Sequence, residues 1–378
     1  MLEQRTSVAP AAGVARVVSV EAIPVVLPLR APAQFASGTI ATADNVIVRV
    51  HSDAGLVGCA EAQARPYTYG ETQSSIVEAV HAWFGPRLIG IDPVAHERAR
   101  AATAGGEGNR CAASAVMVAL ADLAAQILGV SCSAMLGGAS DSVEVASMLS
   151  FGEPQAMAAE AVELHERFGI AVFKVKVGRD PQLDLAAVRA VREAMPTATL
   201  YADANRGWSL AQAEHVGPEL IELGVEAIEE PLDLGDQTGR RRLAELWSVP
   251  LAGDESCLDL AGVADQLASQ TVSQVSIKVA RTAFDESAAI LAHCRACNVR
   301  AVVGSQYEGA LGAWASIAFA ASSRELCQRP AEASNFLDLA VDLVSPPEIR
   351  AGRVRVRDAP GLGVSLDQDA LATYRVDR

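Results

Sequence analysis

Positive charge is in deficit in this 378-residue chain: Lys and Arg number 31 against 46 Asp and Glu, a net charge of −15. An acidic surface repels nucleic-acid phosphates and anionic headgroups alike, so neither nucleic acid nor membrane is expected as a partner. An anionic small molecule is not excluded, because a local cluster of lysine and metal outweighs distant surface charge. Long apolar runs are also lacking, and none reaches the ~18 residues expected of a transmembrane helix. The leader MLEQRTSVAPAAGVARVV has no uninterrupted hydrophobic segment of the kind a signal peptide carries. Paired cysteines are missing too. The seven present, an odd number without a framework, fit a reducing cytoplasm. One local cluster, Cys294 and Cys297 with His293, has no second ligand pair nearby and reads as part of a helix packing small residues inward. Charge in general is sparse, at 20% against 50% apolar residues, which predicts a large buried core rather than disorder. The length predicts two domains, or one large barrel with an addition.

What is present falls into two patterns. From about Val17 to Ala62 the residues alternate as strands, with a turn at Asp53-Ala54-Gly55, and helical patterns follow over Glu71–Leu88 and Pro93–Ala104. Strands first and helices after predict a small α+β domain. CAASAVMVALADLAAQILG reads as a buried helix closed by Gly129, with Asp122 its only charge. From Val143 on, short apolar strands (VEVASMLS, AVFKVKV, TLYAD, EAIEE, PLAGDE, QVSIKV, RAVVGS) alternate with helices. That rhythm is the signature of βα units around a parallel sheet, and seven or eight of them fit a barrel.

The strand FKVKV raises a question that its own pattern leaves open. Alternation places Phe173, Val175 and Val177 on one face and Lys174 and Lys176 on the other. At a wet edge this is trivial. In a barrel covered by helices the lysines point inside, where a charge is expensive unless compensated. Three later strands end in acids: Asp203 in YADAN, Glu229 in AIEEP and Asp254 in AGDES. The intervals of 26 and 25 residues each equal about one βα unit, so consecutive strands deliver one carboxylate each to the C-terminal rim, where barrel active sites lie. Three converging carboxylates repel unless a cation sits among them, and hard oxygen donors suit Mg²⁺ or Mn²⁺. One unit further, SIKV brings Lys278 to a strand end across the barrel from Lys174 and Lys176, an acid/base arrangement. Cationic neighbours and desolvation are expected to lower the lysine pKa values toward working pH.

With K-x-K, D-x-N, E-E-P, D-E-S and a strand lysine in this order, the chain resembles the enolase superfamily, in its muconate lactonizing enzyme subgroup. The resemblance covers nearly the whole chain, including the helix from Ala119 to Gly129, Leu136-Gly137-Gly138 and the tail Gly361-Leu362-Gly363. It implies an α/β fold: a modified (β/α)7β TIM-type barrel at 141–340, an N-terminal α+β capping domain at 1–140, and a return segment at 341–378 packing on the cap. It also implies Asp203, Glu229 and Asp254 as metal ligands for Mg²⁺ or Mn²⁺. Lys176 and Lys278 become the opposed acid/base pair, and Lys174 a neighbour that tunes Lys176. Asn205 and Glu255 support the site, and Glu308 is expected to hydrogen-bond near Lys278. The seventh strand and its loop, RAVVGSQYEG, carry no histidine, which favours the lysine–lysine branch over the mandelate racemase branch.

The shared chemistry is an enediolate stabilised by metal and lysine. Phe35–Gly38, Arg65–Thr72 and Glu332–Asp338 look like their counterparts in actinobacterial-type muconate cycloisomerases. The implied reaction is cis,cis-muconate to muconolactone in a cytoplasmic homo-oligomer, a dimer or octamer, acting on a small-molecule carboxylate. Arg65 is expected to meet a second substrate carboxylate, with Tyr67 beside it. A racemase or epimerase of N-acylamino acids or dipeptides, with Asp338 as the recognition acid, and an o-succinylbenzoate synthase are the alternatives within the subgroup.

Overall fold

The computed structural model describes residues 15–35 and 38–377. The leader and, within the segment Phe35–Gly38, Ala36 and Ser37 lie outside the described residues. Strands β1 (Val17–Phe35), β2 (Gly38–Ser52) and β3 (Val57–Gln63) form an antiparallel sheet in that order. The β2–β3 turn closes at Gly55, whose φ of +76° a glycine adopts without strain. Gln73–Leu88 is one helical run whose middle, Ala79–Phe84, is wound as a π-helix. His96–Thr103 and Arg110–Leu128 complete the helices of the cap.

Arg110–Leu128 is long and apolar enough to cross a membrane, at a mean hydropathy of 1.9, so the expectation that no such run exists was too strict. Its surroundings decide its role. It packs on β3 so closely that a Cβ on Gly58 would lie 2.0 Å from the Ala119 carbonyl oxygen. Asp122, its one acidic residue, accepts from the amides of Cys59 and Leu362 at 2.8 and 2.7 Å. This is a core helix.

The second sheet runs through β4 (Ser142–Leu149), β5 (Val172–Lys176), β6 (Thr199–Asp203), β7 (Val225–Glu229), β8 (Leu251–Gly253), β9 (Gln274–Ile277) and β10 (Arg300–Val303), all parallel. Each is followed by a helix on the outside. β11 (Ala331–Glu332) pairs with β4 and packs against β10, which closes the ring. The strand–helix rhythm predicts a barrel of seven or eight units, and the form found is the (β/α)7β one that the resemblance implies. The tail adds β12 (Ile349–Arg350) and β13 (Arg353–Arg355), and β13 pairs antiparallel with the start of β4. Beyond it the chain returns to the cap, where Val25 and Arg375 form a β-bridge. With both faces covered, every residue of β5 is buried, lysines included.

The end of β9 is the most strained part of the ring. Lys278 leads into a turn at whose end Ala283 has φ 47° and ψ −167°, a region that almost only glycine enters. The cap holds this turn: Ser114 donates to the Val279 carbonyl at 2.5 Å and accepts from the Ala283 amide at 3.0 Å. Replacing Ala283 by Gly removes the Cβ clash and leaves these bonds in place. We expect Ala283→Gly to raise stability by about 1 kcal/mol, the strain relieved less the added entropy of the unfolded chain. Urea unfolding checks this, and a variant no more stable than the parent would show that the turn is not strained.

Candidate active site

The C-terminal ends of the barrel strands open into a cavity of about 240 Å³, roofed by Arg65, Tyr67, Thr68 and Tyr69 of the cap. Lys174, Lys176, Asp203, Asn205, Asp254, Glu255 and Lys278 line it, with Glu332 on β11. Glu229, 1% exposed, lies beneath and is reached through Lys174. β5 and β9 are four steps apart around the eight-strand ring β4 to β11, so Lys176 and Lys278 enter from opposite sides.

Each rim carboxylate faces a cation. Lys176 Nζ donates to Asp203 at 2.7 Å and to Asn205 Oδ1 at 2.6 Å. Lys174 Nζ lies 2.9 Å from Glu229, 2.7 Å from Glu332 and 3.6 Å from Asp203. Lys278 Nζ donates to Asp254 Oδ2 at 2.5 Å, and Arg281 takes Oδ1 at 2.7 Å. Asn205 links the two halves by donating to Glu255 at 3.2 Å. Among the described residues no three His, Cys, Asp or Glu side chains form a preassembled metal cluster. The donor set nevertheless fits a hard divalent cation. Among the described residues Glu229 Oε2 and Glu255 Oε2 are buried with no hydrogen-bond partner, and burial together with Asp203, Glu332 and Asp254 pushes the Glu229 carboxyl well above its ordinary range.

At Lys174 and Lys278 the expectation of lowered pKa values is not met. Burial opposes the charge on Lys174, but Glu229, Glu332 and Asp203 outweigh it and hold the ammonium well above its usual value. Lys278 behaves the same way, with Asp254 overcoming burial. Asp254 is conversely held far below the carboxylate range: burial raises it, and Lys278 and Arg281 more than reverse that. The neighbours that dominate at both lysines are carboxylates rather than cations. Glu255, under burial and the fields of Asp254 and Glu230, is pushed up to about 7.

Glu308 is buried near Lys278, and its Oε2 accepts from the Gln306 amide at 2.9 Å, so the hydrogen bond it makes there orders its own loop. Burial and Glu61 raise its carboxyl to about 7. Arg65 is 8% exposed on the cavity wall, and its guanidinium donates to the carbonyls of Ala64 and Gln306, each at 2.9 Å, and of Tyr307 at 3.4 Å. Tyr67 stands at the cavity mouth, half exposed. Asp338 does not line the cavity; the Tyr307 hydroxyl donates to its carboxylate.

Sequence reasoning missed Arg281, Glu332, Glu230 and Arg240. Arg281 lies beyond the strand in what reads as helix. Glu230, next to Glu229, points the other way and should be wet by alternation. Instead it ties β7 to β8 through the amides of Asp254 and Ser256, and Arg240 neutralises it at 2.6 Å with both side chains fully buried. Only the tyrosine of TLYAD hinted at Glu332: the Tyr201 hydroxyl donates to it at 3.1 Å.

Comparison with known proteins bears on this arrangement. Residues 17–137 match the family model for the mandelate racemase/muconate lactonizing enzyme N-terminal domain, and 156–370 match the enolase C-terminal domain-like model. The chain is 32% identical to muconate cycloisomerase 1-2 of Acinetobacter lwoffii, over 96% of each chain. It is 31% identical to the L-Ala-D/L-Glu epimerase of Bacillus subtilis, over 92% of this chain and 96% of the other. Among solved structures, the muconate lactonizing enzyme of Mycobacterium smegmatis complexed with muconolactone superposes with a TM-score of 0.94 at 40% identity, covering 96% of this chain and all of the other. A dipeptide epimerase of Enterococcus faecalis, complexed with Mg and the dipeptide L-Leu-L-Tyr, gives 0.87 at 27% identity over 93% and 99%.

Lys174 is the hub of the charge network, so its loss strands three buried carboxylates. We expect Lys174→Met to cost about 3 kcal/mol or more in metal-free protein, as for other broken buried ion pairs. Without the ammonium the Glu229 carboxyl, already held above its ordinary range by burial and its acidic neighbours, rises further in the folded state, which then binds more protons there than the unfolded chain. Stability is therefore lost as pH rises through the carboxylate range, and the deficit should be smaller at pH 5 than at pH 8. Urea unfolding at both values in a chelator tests this, and equal deficits would refute the charge account.

Proposed function

The chain belongs to the mandelate racemase/muconate lactonizing enzyme family of the enolase superfamily, and from that premise we propose that it is a metal-dependent cycloisomerase converting cis,cis-muconate to muconolactone. The observation that carries the choice of substrate is the state of Arg65. It is a buried cation on the cavity wall that, among the described residues, has only carbonyl oxygens and no carboxylate as partner. A dicarboxylate brings a second anionic end to such a wall, whereas the ammonium of a dipeptide is repelled by it. Asp338, the acid that would read an ammonium, is engaged with Tyr307 instead. The epimerase reading retains support in the nearly equal identity to an L-Ala-D/L-Glu epimerase and in the superposition with a dipeptide epimerase.

Members of the superfamily bind Mg²⁺. In this chain Asp203, Glu229 and Asp254 would hold the ion, Mg²⁺ or Mn²⁺, with Glu229 Oε2 the oxygen that lacks a partner otherwise. When bound, it supplies positive charge against the second negative charge that develops on a substrate carboxylate. The protein's own groups do the rest. Lys174, kept charged by its carboxylates, adds fixed positive potential next to the same carboxylate. As one substrate carboxylate oxygen adds to the conjugated double bond, negative charge moves onto the other carboxylate. A lysine ammonium on one face of the cavity then delivers its proton to the α-carbon. Lys176, oriented by Asn205 and Asp203, serves one face, and Lys278, oriented by Asp254, serves the other. The cap's Tyr67 and Tyr69 close the mouth against water.

Loss of ultraviolet absorbance of cis,cis-muconate measures turnover directly. We expect activity with Mg²⁺ or Mn²⁺ that a chelator abolishes. The lysine that donates the proton should lose about 10²–10⁴-fold on replacement by Ala, the usual range for a general acid. Product formed in deuterated water identifies the protonated face and so the productive lysine. Metal-loaded protein that leaves muconate unchanged, but exchanges deuterium into the α-position of dipeptides, would replace this reading with epimerase.

A further inference from the structure

Gln306, on the loop after β10, is 6% exposed and lines the cavity. Three of its four hydrogen-bonding groups are fixed. Its amide N–H donates to Glu308 Oε2 and its carbonyl accepts from Arg65 Nη2, each at 2.9 Å. Its Oε1 faces the Cys111 thiol at 3.9 Å, a thiol that burial keeps protonated. Only Nε2 remains, buried and, among the described residues, without an acceptor. An unmet buried donor costs about 1–3 kcal/mol, and here the backbone on both sides is pinned so that the side chain is not free to turn away.

We propose that Gln306 is a specificity-determining residue whose Nε2 donates to an oxygen of the substrate's second carboxylate, the end remote from the metal-ligand carboxylates. The class of group follows from the surroundings. Among the described residues the guanidinium that holds the Gln306 carbonyl makes no direct ion pair, Glu61 acting on it only through its field, so an anionic oxygen is attracted and an ammonium is repelled by both donors. The Glu61 carboxylate of the cap fixes the same loop from below, accepting from the amides of Gly309 and Gly312 at 2.9 Å each. The donor is thus preorganised, and binding need not order it first. This inference rests on the dicarboxylate reading above and assigns the residue that enforces it.

The test compares two inert ligands of equal length, adipate with two carboxylates and hexanoate with one, binding to the full chain in Mg²⁺. The parent should prefer adipate. Gln306→Leu should lose about tenfold in adipate affinity while hexanoate binds as before, the scale of one hydrogen bond to a charged group. With muconate, KM should rise about tenfold and kcat change far less, because the bond is made equally in the ground and transition states. A fall in kcat at constant KM would instead make Gln306 part of the chemistry and overturn the proposal, as would an unchanged adipate-to-hexanoate ratio. Gln306→Met, which keeps length and volume, gives the same reading if leucine disturbs folding. The binding arm needs no turnover: a chain that ignores muconate yet shows the Gln306-dependent preference refutes the cycloisomerase reading and upholds this one.

Discussion

Two lysines inside a barrel set the terms for everything around them. Lys174 and Lys176 are 2% and 6% exposed, and an ammonium at that depth is tolerated only with counter-charge. Around them stand the cations Lys174, Lys176, Lys278 and Arg281 and the carboxylates Asp203, Glu229, Asp254, Glu255 and Glu332. Burial and the neighbouring acids push Glu229 and Glu255 up, while the acids around Lys174 overcome burial and hold it firmly charged. A divalent cation adds positive charge to this set, which favours an anionic substrate. The same charges that make the interior costly therefore make it selective.

The cap is bound to the barrel by a related device. Buried carboxylates accept backbone amides at places where no local side chain caps them. Glu71 takes the amides of Cys111 and Ala112 at the start of Arg110–Leu128. Glu61 does so for Ala310–Ala320, whose own Gly309 offers no cap. Helix N-termini welcome negative charge, so acid and helix stabilise each other, within the cap at Glu71 and across the boundary between cap and barrel at Glu61. The bonds of Ser114 to Val279 and Ala283, and of Arg65 to Gln306 and Tyr307, complete the attachment. The loops so gripped follow β9 and β10, which places the cavity wall under the control of the cap.

Strain gathers at the same rim. Asn205, Arg206, Glu230, Ala283 and Tyr307 all have positive φ without being glycine, and each follows a barrel strand. Such conformations persist only where neighbours over-determine them. Here the neighbours are the charge network and the cap bonds. Asn205 bonds Lys176 and Glu255, Glu230 bonds Arg240, and Tyr307 bonds Arg65.

By itself the sequence determined the elements and their polarity. Apolar alternation against helical period separates strand from helix whatever the packing, and it placed all seven leading barrel strands and the helix capped by Gly129. Because a parallel strand presents its end to a single rim, the spacing of Asp203, Glu229, Asp254 and Lys278 also carried over directly into three dimensions. Tertiary structure alone decided who partners whom. Glu332 lies 158 residues from Lys174 and Arg281 lies 27 from Asp254, and no local pattern encodes either meeting. Lysine pKa values escaped the sequence for the same reason: their sign depends on the nearest charges, which only closure of the ring assembles. Gln306 is the extreme case. In one dimension it is an unremarked polar residue after a strand, and only the folded cavity leaves its amide nitrogen buried with nothing yet to bond.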